Sequence, residues 1–360
     1  MPPRSFTIGG MKLDDYDALL VLSFGGPEGE DEVLPFLENV TRGRGIPKER
    51  LAKVGEHYYH FGGVSPINQQ NRTLISNIEA ELQLREIELP VYFGNRNWHP
   101  LAEDTAKQLA ADGKHNVLVF ATSAWGGYSA CRQYDEDIVR MREVVPDVTF
   151  TKLWQFFGHE RFIDQVAAGL EEAVERATDT AFRVLFTAHS VPDAADVASG
   201  GPDDAHLYSR QVAEAARLVA KRAGVDDYEV VWQSRSGNPA TPWLEPDVVD
   251  RAQELAEDGM EHLICVPIGF LTDHMEVVWD LDTELKQACE AQGVSLDRVA
   301  TVGLTREFAA LVVDLAEAVA RREVPPSLST VTVQGCTENG APCRSGCCAP
   351  QQRPTLARRA

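Results

Sequence analysis

The chain of 360 residues is short of positive charge: 34 Lys and Arg stand against 55 Asp and Glu, a formal net charge of −21. So acidic a surface argues against nucleic acid or anionic lipid as the main partner. Long apolar runs are also missing. No stretch reaches the ~18 residues that a membrane-spanning helix needs. The opening residues, MPPRSFTIGGMKLDDYD, lack the apolar core of a secretory signal, so residues 1–16 read as a flexible leader. These absences predict a cytoplasmic protein without a transmembrane segment, and the acidity favours a monomer. The glycine-rich spots FGGP and WGGY lack the GxGxxG spacing of a dinucleotide fingerprint. AHSVP lacks the glycines of a nucleophile elbow, which argues against serine hydrolase chemistry. Cysteine is sparse in the body, at Cys131, Cys265 and Cys289, and crowded in the tail, at Cys336, Cys343, Cys347 and Cys348. A reducing compartment disfavours disulfides, so the tail cluster reads first as a metal site.

What is present is alternation. Short β-branched or aromatic runs predict strands at 18–24, 90–94, 117–121, 148–153, 183–188, 229–233, 263–268 and 299–303. Amphipathic helical patterns lie between them, at 71–84, 161–176, 205–222 and 305–321. Strand and helix in turn predict parallel sheets covered on both faces. The eight strands fall into two sets of four with echoing ends: LLVLSFGGP with VLFTAHSVP, YFGNRNWHP with VWQSRSGNP, VLVFATSAWGGY with LICVPIGFLTDH. The expected fold is α/β, two similar doubly wound parallel-sheet domains, 17–160 and 161–323, with a cleft between them. A tail without periodicity, 324–360, is too poor in apolar residues to fold without a metal. Ligands of such sheets bind beyond the carboxyl ends of the strands, where the unusual residues gather.

Three stretches carry candidate chemistry. In GFLTDHMEVVWDLDTE, residues 269–284, helical spacing puts Asp273, Glu276, Asp280 and Glu284 on one stripe. Like charges four apart destabilise a helix by a few tenths of a kcal/mol. A row of oxygen ligands could hand a divalent cation inward or carry protons outward; a solvated acidic face is the plainer reading. His189 ends a buried strand in FTAHSVP. It is either a satisfied core histidine or, facing the crevice, a base or metal ligand. In HYYHFGGVSPINQQNR, Ser65 reads as a helix N-cap with Pro66 behind it, and Gly62 and Gly63 leave room for a flat ligand.

With these residues in place the chain resembles the ferrochelatases, in particular the actinobacterial coproporphyrin type. The resemblance covers residues 17–322 and is carried by LLVLSFGGP, ENVTRGRGIP, HFGGVSPIN, FTAHSVP, WQSRSGNP and GFLTDHMEVVWDLD. It implies insertion of Fe²⁺ into coproporphyrin III, with release of two protons, and transient contacts with other haem-pathway enzymes. It implies that His189 and Glu276 face each other across the porphyrin, sharing iron binding and proton removal, with Asp280 and Glu284 as an acidic conduit. Ser65 and Tyr134 fall at positions resembling propionate contacts, and Arg42 lies in the segment that supplies cationic partners. Where related bacterial enzymes carry a Tyr able to ligate product iron, this chain has Phe24.

The tail resembles the extension of cluster-bearing ferrochelatases, which implies a [2Fe–2S] centre on Cys336, Cys343, Cys347 and Cys348. The body position that supplies a ligand in many of those falls near Gln165, which cannot serve, and Cys131 is the substitute. Tetrahedral zinc or a disordered tail are the alternatives. For the whole protein the alternatives are a cobalt or nickel chelatase of the same superfamily, and a non-enzymatic porphyrin or haem carrier with an iron–sulfur cluster.

Overall fold

The computed structural model describes residues 12–43, 45–177, 181–200, 204–236, 240–331 and 347–348. The strands are β1 (Ala18–Ser23), β2 (Val91–Asn95), β3 (Asn116–Ala121), β4 (Thr149–Lys152), β5 (Phe182–His189), β6 (Tyr228–Gln233), β7 (His262–Val266) and β8 (Ser295–Arg298). The helices are α1 (Glu30–Val40), α2 (Lys48–His60), α3 (Ile67–Leu84), α4 (Ala102–Ala111), α5 (Gln133–Val144), α6 (Glu160–Arg176), α7 (Asp193–Val197), α8 (Leu207–Arg222), α9 (Val248–Glu257), α10 (Met275–Trp279), α11 (Lys286–Gln292) and α12 (Arg306–Ala320). The strands make two all-parallel sheets of identical topology, β2-β1-β3-β4 and β6-β5-β7-β8. The repeat read from the echoing strand ends is therefore a repeat of strand order.

β1, ALLVLS, is buried along its whole length, as a strand covered on both faces must be. The largest apolar cluster joins Leu19 and Val21 of β1 to Val184 and Phe186 of β5, through α3, α6, α8 and α12. Burying each such side chain contributes about 1.5–3 kcal/mol. α12 closes the chain by packing against both α3 and α6, so the two sheets share one core. No helix among the described residues is long and apolar enough to cross a membrane.

Two features differ from the sequence reading. The eighth strand is Ser295–Arg298, on the sheet edge, and not 299–303. Val299 and Val302 are apolar because they are buried, with Val302–Leu304 forming a 3-10 turn whose Gly303 donates its N–H to the Leu271 carbonyl at 2.8 Å. Ser65 does not cap α3. Its N–H bonds the Pro27 carbonyl at 2.8 Å, and its side chain fills the space beside Gly26, where a Cβ would come within 2.7 Å of the Ser65 Cβ.

The loop after β7 lies tight against β5. A Cβ on Gly269 would stand 2.5 Å from the Ala188 Cβ and 2.6 Å from its Cα. Gly269→Ala should therefore cost about 1–3 kcal/mol by overpacking. Denaturant unfolding should show this as a lowered midpoint at unchanged slope; a variant as stable as the parent would contradict the packing described.

Candidate active site

The carboxyl ends of the two sheets meet. Trp125, after β3, donates its indole N–H to the Gly269 carbonyl at 3.0 Å, and Gln70 of α3 accepts the Asp273 N–H at 2.8 Å. Where they meet, His189 at the end of β5 points Nε2 at Glu276 Oε1 of α10, 3.5 Å away. The ring is oriented from behind. Its Nδ1 lies 2.5 Å from the Ser190 carbonyl, which accepts only from an N–H, so Nδ1 carries hydrogen and Nε2 is the working atom. Tyr208 of α8 donates its hydroxyl to the His189 carbonyl at 2.7 Å, and Gln233 of β6 donates its amide to the Glu276 carbonyl at 2.9 Å. His274 stands on the far side of the carboxylate, Nε2 to Oε2 at 3.7 Å. Solvent still reaches 35% of the His189 side chain and 48% of that of Glu276, so the pair is open to a ligand.

Burial opposes charge on His189, but the adjacent Glu276 carboxylate overrides it and raises the imidazole to about 9. Burial likewise works against the carboxylate, and the His189 charge wins, holding Glu276 at about 2. His274 goes the other way: burial lowers it, so it favours the neutral form. Burial, with the Glu276 charge added, pushes the hydroxyls of Tyr58 and Tyr208 up, so Tyr58 of α2 stands within the field of the same carboxylate.

The acidic stripe is sorted by its partners. Asp273 precedes the helix and pairs with Arg298 of β8 at 2.8 Å; Arg298 also holds Asp282 at 2.8 Å. Asp273 thus leaves the row in which the sequence placed it. The helix is α only through Trp279. Asp280–Leu285 is a π turn, with Thr283 Oγ1 donating to the carbonyl five residues back at 3.1 Å. An α-helix drifts about 40° over four residues, and the wider π turn removes much of that drift, keeping Glu276, Asp280 and Glu284 aligned. Asp280 accepts from the Ser234 hydroxyl and, at 3.3 Å, from the Gln233 amide. Burial raises its carboxyl to about 7; the Ser234 bond opposes the rise and the charges of Glu276 and Glu284 add to it. Glu284 is exposed and accepts the Trp279 indole N–H at 2.8 Å.

The other expected residues are spread. Phe24 is 37% exposed beyond β1, edge-on to Phe36. Arg42 is exposed after α1. Ser65 and Tyr134 are buried, at 4% and 5% exposure. Tyr134 lies under the Arg96 guanidinium, 4.4 Å from the ring centre, with its hydroxyl 3.3 Å from Thr122 Oγ1. That burial, with the Arg96 charge opposing it, raises the phenol. Sequence reasoning missed Ser234, Gln233 and Trp279 as partners of the acids. The motif WQSRSGNP held the only signal for the first two.

In the tail, Cys336 and Cys343 lie outside the described residues. Cys347 and Cys348 are buried with their sulfurs 3.7 Å apart. Cys348 Sγ accepts the backbone N–H groups of Gly127 and Gly200, at 3.3 and 3.4 Å, one from each half of the chain. The Cys347 carbonyl accepts from Arg132 at 3.2 Å. Cys131 is buried in the π turn Tyr128–Arg132, with the Lys152 ammonium 3.4 Å from its sulfur. Burial raises the thiols of Cys265 and Cys289, the latter to about 11, as suits inert core cysteines.

Two doubly wound sheets, a strand-end imidazole against a carboxylate, and an acid row leading away define a chelatase-like two-domain protein. Structures of that kind are similar to it. SirB from Bacillus subtilis with Fe³⁺ matches with a TM-score of 0.52 at 13% identity, covering 86% of this chain and 100% of that one. The sirohydrochlorin chelatase SirB from Bacillus subtilis subspecies spizizenii in complex with cobalt matches at 0.51 and 12%, covering 85% and 96%. The family profile described as Ferrochelatase matches residues 16–320. Proteins named coproporphyrin III ferrochelatase are similar along nearly the whole chain. That of Corynebacterium glutamicum (strain R) is 56% identical over 95% of this chain and 94% of its own, and that of Nocardia farcinica 53% identical over 95% and 99%. The chain belongs to the ferrochelatase family.

The pair sets a pH window. The raised His189 stabilises the fold fully below 6.5 and loses that contribution as pH rises through about 9. The depressed Glu276 contributes above 4.5 and loses it as pH falls through about 2. In the ligand-free protein, imidazole NMR should find His189 protonated at pH 7 and titrating near 9. In Glu276→Gln its midpoint should fall by at least one unit; an unchanged midpoint would show that the ion pair does not set it.

Proposed function

We propose that this chain inserts Fe²⁺ into coproporphyrin III in haem biosynthesis, giving the iron coproporphyrin and two protons. The observation that carries the reading is the His189–Glu276 contact at the head of the Glu276, Asp280, Glu284 row. The names of the similar proteins support the substrate.

The chemistry needs four Fe–N bonds formed and two pyrrole N–H bonds broken, without change of oxidation state. A macrocycle entering between His189 and Glu276 separates them. The imidazole then loses the carboxylate that kept it charged, gives up its proton and becomes a base at Nε2, placed to take one from a pyrrole. Glu276, freed of the imidazolium, takes the metal or the second proton. Asp280, at about 7, exchanges protons readily at neutral pH and passes them along the row. Among the described residues no three His, Cys, Asp or Glu side chains converge on a metal cage. Open coordination suits iron that is substrate, because a closed four-ligand site would retain it. Phe24 has no ligand atom, so a phenolate from that position is not available to product iron.

The tail is read as the holder of a [2Fe–2S] cluster, with Cys336, Cys343, Cys347 and Cys348 as ligands and Cys131 as the substitute. The placed sulfurs fit. Two thiolates on one tetrahedral metal at ~2.3 Å stand about 3.8 Å apart, close to the 3.7 Å found. The two N–H bonds to Cys348 stabilise a thiolate there. A cluster would supply a cross-link between tail and body; no step of the insertion passes through it. Cys348→Ser should lose the visible absorbance and the acid-labile sulfide of the purified protein and unfold at lower temperature. Zinc in place of iron and sulfide would overturn the cluster reading.

Anaerobic assay of the protein with coproporphyrin III and Fe²⁺, followed by absorbance, tests the function. Metallation is expected. Cobalt-only turnover would favour a cobalt chelatase, and spectral binding without metallation a carrier. His189→Ala should abolish turnover with the porphyrin still bound. Glu276→Gln should cut the rate by roughly 100-fold or more, on the scale of a lost acid–base group. Near-normal turnover of His189→Ala would refute the assignment.

A further inference from the structure

Trp279 closes α10 and makes two contacts that the insertion chemistry does not use. On one side its indole N–H is donated to Glu284 Oε1 at 2.8 Å, so the outermost acid of the row has one oxygen held in place. On the other, its face is covered by the His57 imidazole of α2, ring centres 4.0 Å apart and planes within 6°. His60 and Phe61 close on the indole edge-on, at 5.7 and 6.5 Å. Burial lowers the His57 pKa, so the ring stacks as a neutral imidazole. The same helix carries Tyr58 into the field of Glu276. α2 therefore reaches the outer end of the acid row through the His57–Trp279 stack, although the two helices are more than 200 residues apart in sequence.

An exposed glutamate would otherwise sample many rotamers, and fixing its side chain costs conformational entropy. The indole bond meets part of that cost in advance. It also leaves the second carboxylate oxygen free toward solvent.

We propose that Trp279 is a positioning residue for iron delivery: braced by His57 of α2, it holds the Glu284 carboxylate in the orientation that receives Fe²⁺ at the outer end of the row. The proposal rests on the conduit reading given above and deepens it.

Kinetics with Fe²⁺ and coproporphyrin III varied separately test it. Trp279→Phe keeps the ring and its stack and removes only the N–H donor. It should raise KM for Fe²⁺ roughly 3- to 10-fold, the scale of one ordinary hydrogen bond at an exposed position, with kcat and the porphyrin Kd within two-fold of the parent. His57→Ala, which removes the brace, should raise KM for Fe²⁺ in the same direction. Glu284→Gln should raise it as well, and Glu284→Gln with Trp279→Phe should be no worse than Glu284→Gln alone, because the indole acts through that carboxylate. If Trp279→Phe leaves KM for Fe²⁺ unchanged, or adds its full effect on top of Glu284→Gln, the positioning role is overturned and the conduit stands. If Glu284→Gln itself leaves KM for Fe²⁺ unchanged, the conduit reading fails, and this proposal with it. A purely structural role of Trp279 would lower thermal stability and kcat together and leave the iron KM in place.

Discussion

The site depends on one contact, an imidazole and a carboxylate held 3.5 Å apart where two parallel sheets end. Taking either charge alone out of water would be costly, and pairing them removes most of that cost. The surroundings serve the pair. Tyr208 fixes the backbone of His189, Gln233 fixes that of Glu276, and the Ser190 carbonyl sets the tautomer. The loop that carries α10 reaches His189 only because Gly269 has no side chain to strike Ala188. These groups come from the ends of β5 and β6, the start of α8 and the loop after β7, and the shared core holds them in register.

The acid row follows the same logic of partners. Five carboxylates within twelve residues of one helical segment repel, yet each has a neighbour that makes its charge tolerable. Arg298 takes Asp273 and Asp282, which are thereby structural. Glu276 has His189, Asp280 has Ser234 and Gln233, and Glu284 has Trp279. The partners differ in kind. One guanidinium shared by two acids offsets half of their charge and ties both down, whereas a hydroxyl or indole orients a carboxylate and leaves its charge. On the function proposed, the acids in the second condition, together with Glu276, are the ones that engage a cation or exchange a proton.

The alternation of strand and helix, the internal repeat and the strand-end position of His189 were legible in the sequence, because buried parallel strands write themselves as β-branched runs and their ends concentrate polar residues; the order of the strands within each sheet was not. The eighth strand was misread for an instructive reason. Val299 and Val302 are apolar through burial under the loop at Leu271, while the true strand, SLDR, lies on a sheet edge and carries the polar Arg298 that the site needs. The π turn was not legible either. A one-residue change of hydrogen-bond register leaves no compositional trace, and the sequence shows only that acids recur every four positions. Tyr134 and Ser65 illustrate a third limit: the sequence did not show that both side chains are buried, Tyr134 beneath the Arg96 guanidinium. The partners of Glu276 and Asp280 were out of reach because those pairings span the fold, as Ser234 to Asp280 does, whereas Trp279 lies five residues from Glu284 and was missed because an indole in a helical pattern reads as an apolar residue.

The raised imidazole and the depressed carboxylate are two views of one interaction, and that has a consequence for how a flat substrate is used. While His189 and Glu276 touch, neither is available: the imidazole already holds its proton and the carboxylate is occupied by it. A macrocycle that parts them turns a closed ion pair into a base on one face and an anionic ligand on the other. The work of parting them opposes binding and has to be offset by the contacts that the ring system makes elsewhere. On the mechanism proposed, the reactive state arises only when a macrocycle parts the pair; until then a cation reaching Glu276 meets a carboxylate already neutralised by His189. In that scheme the order of events is built into the electrostatics of the pair itself.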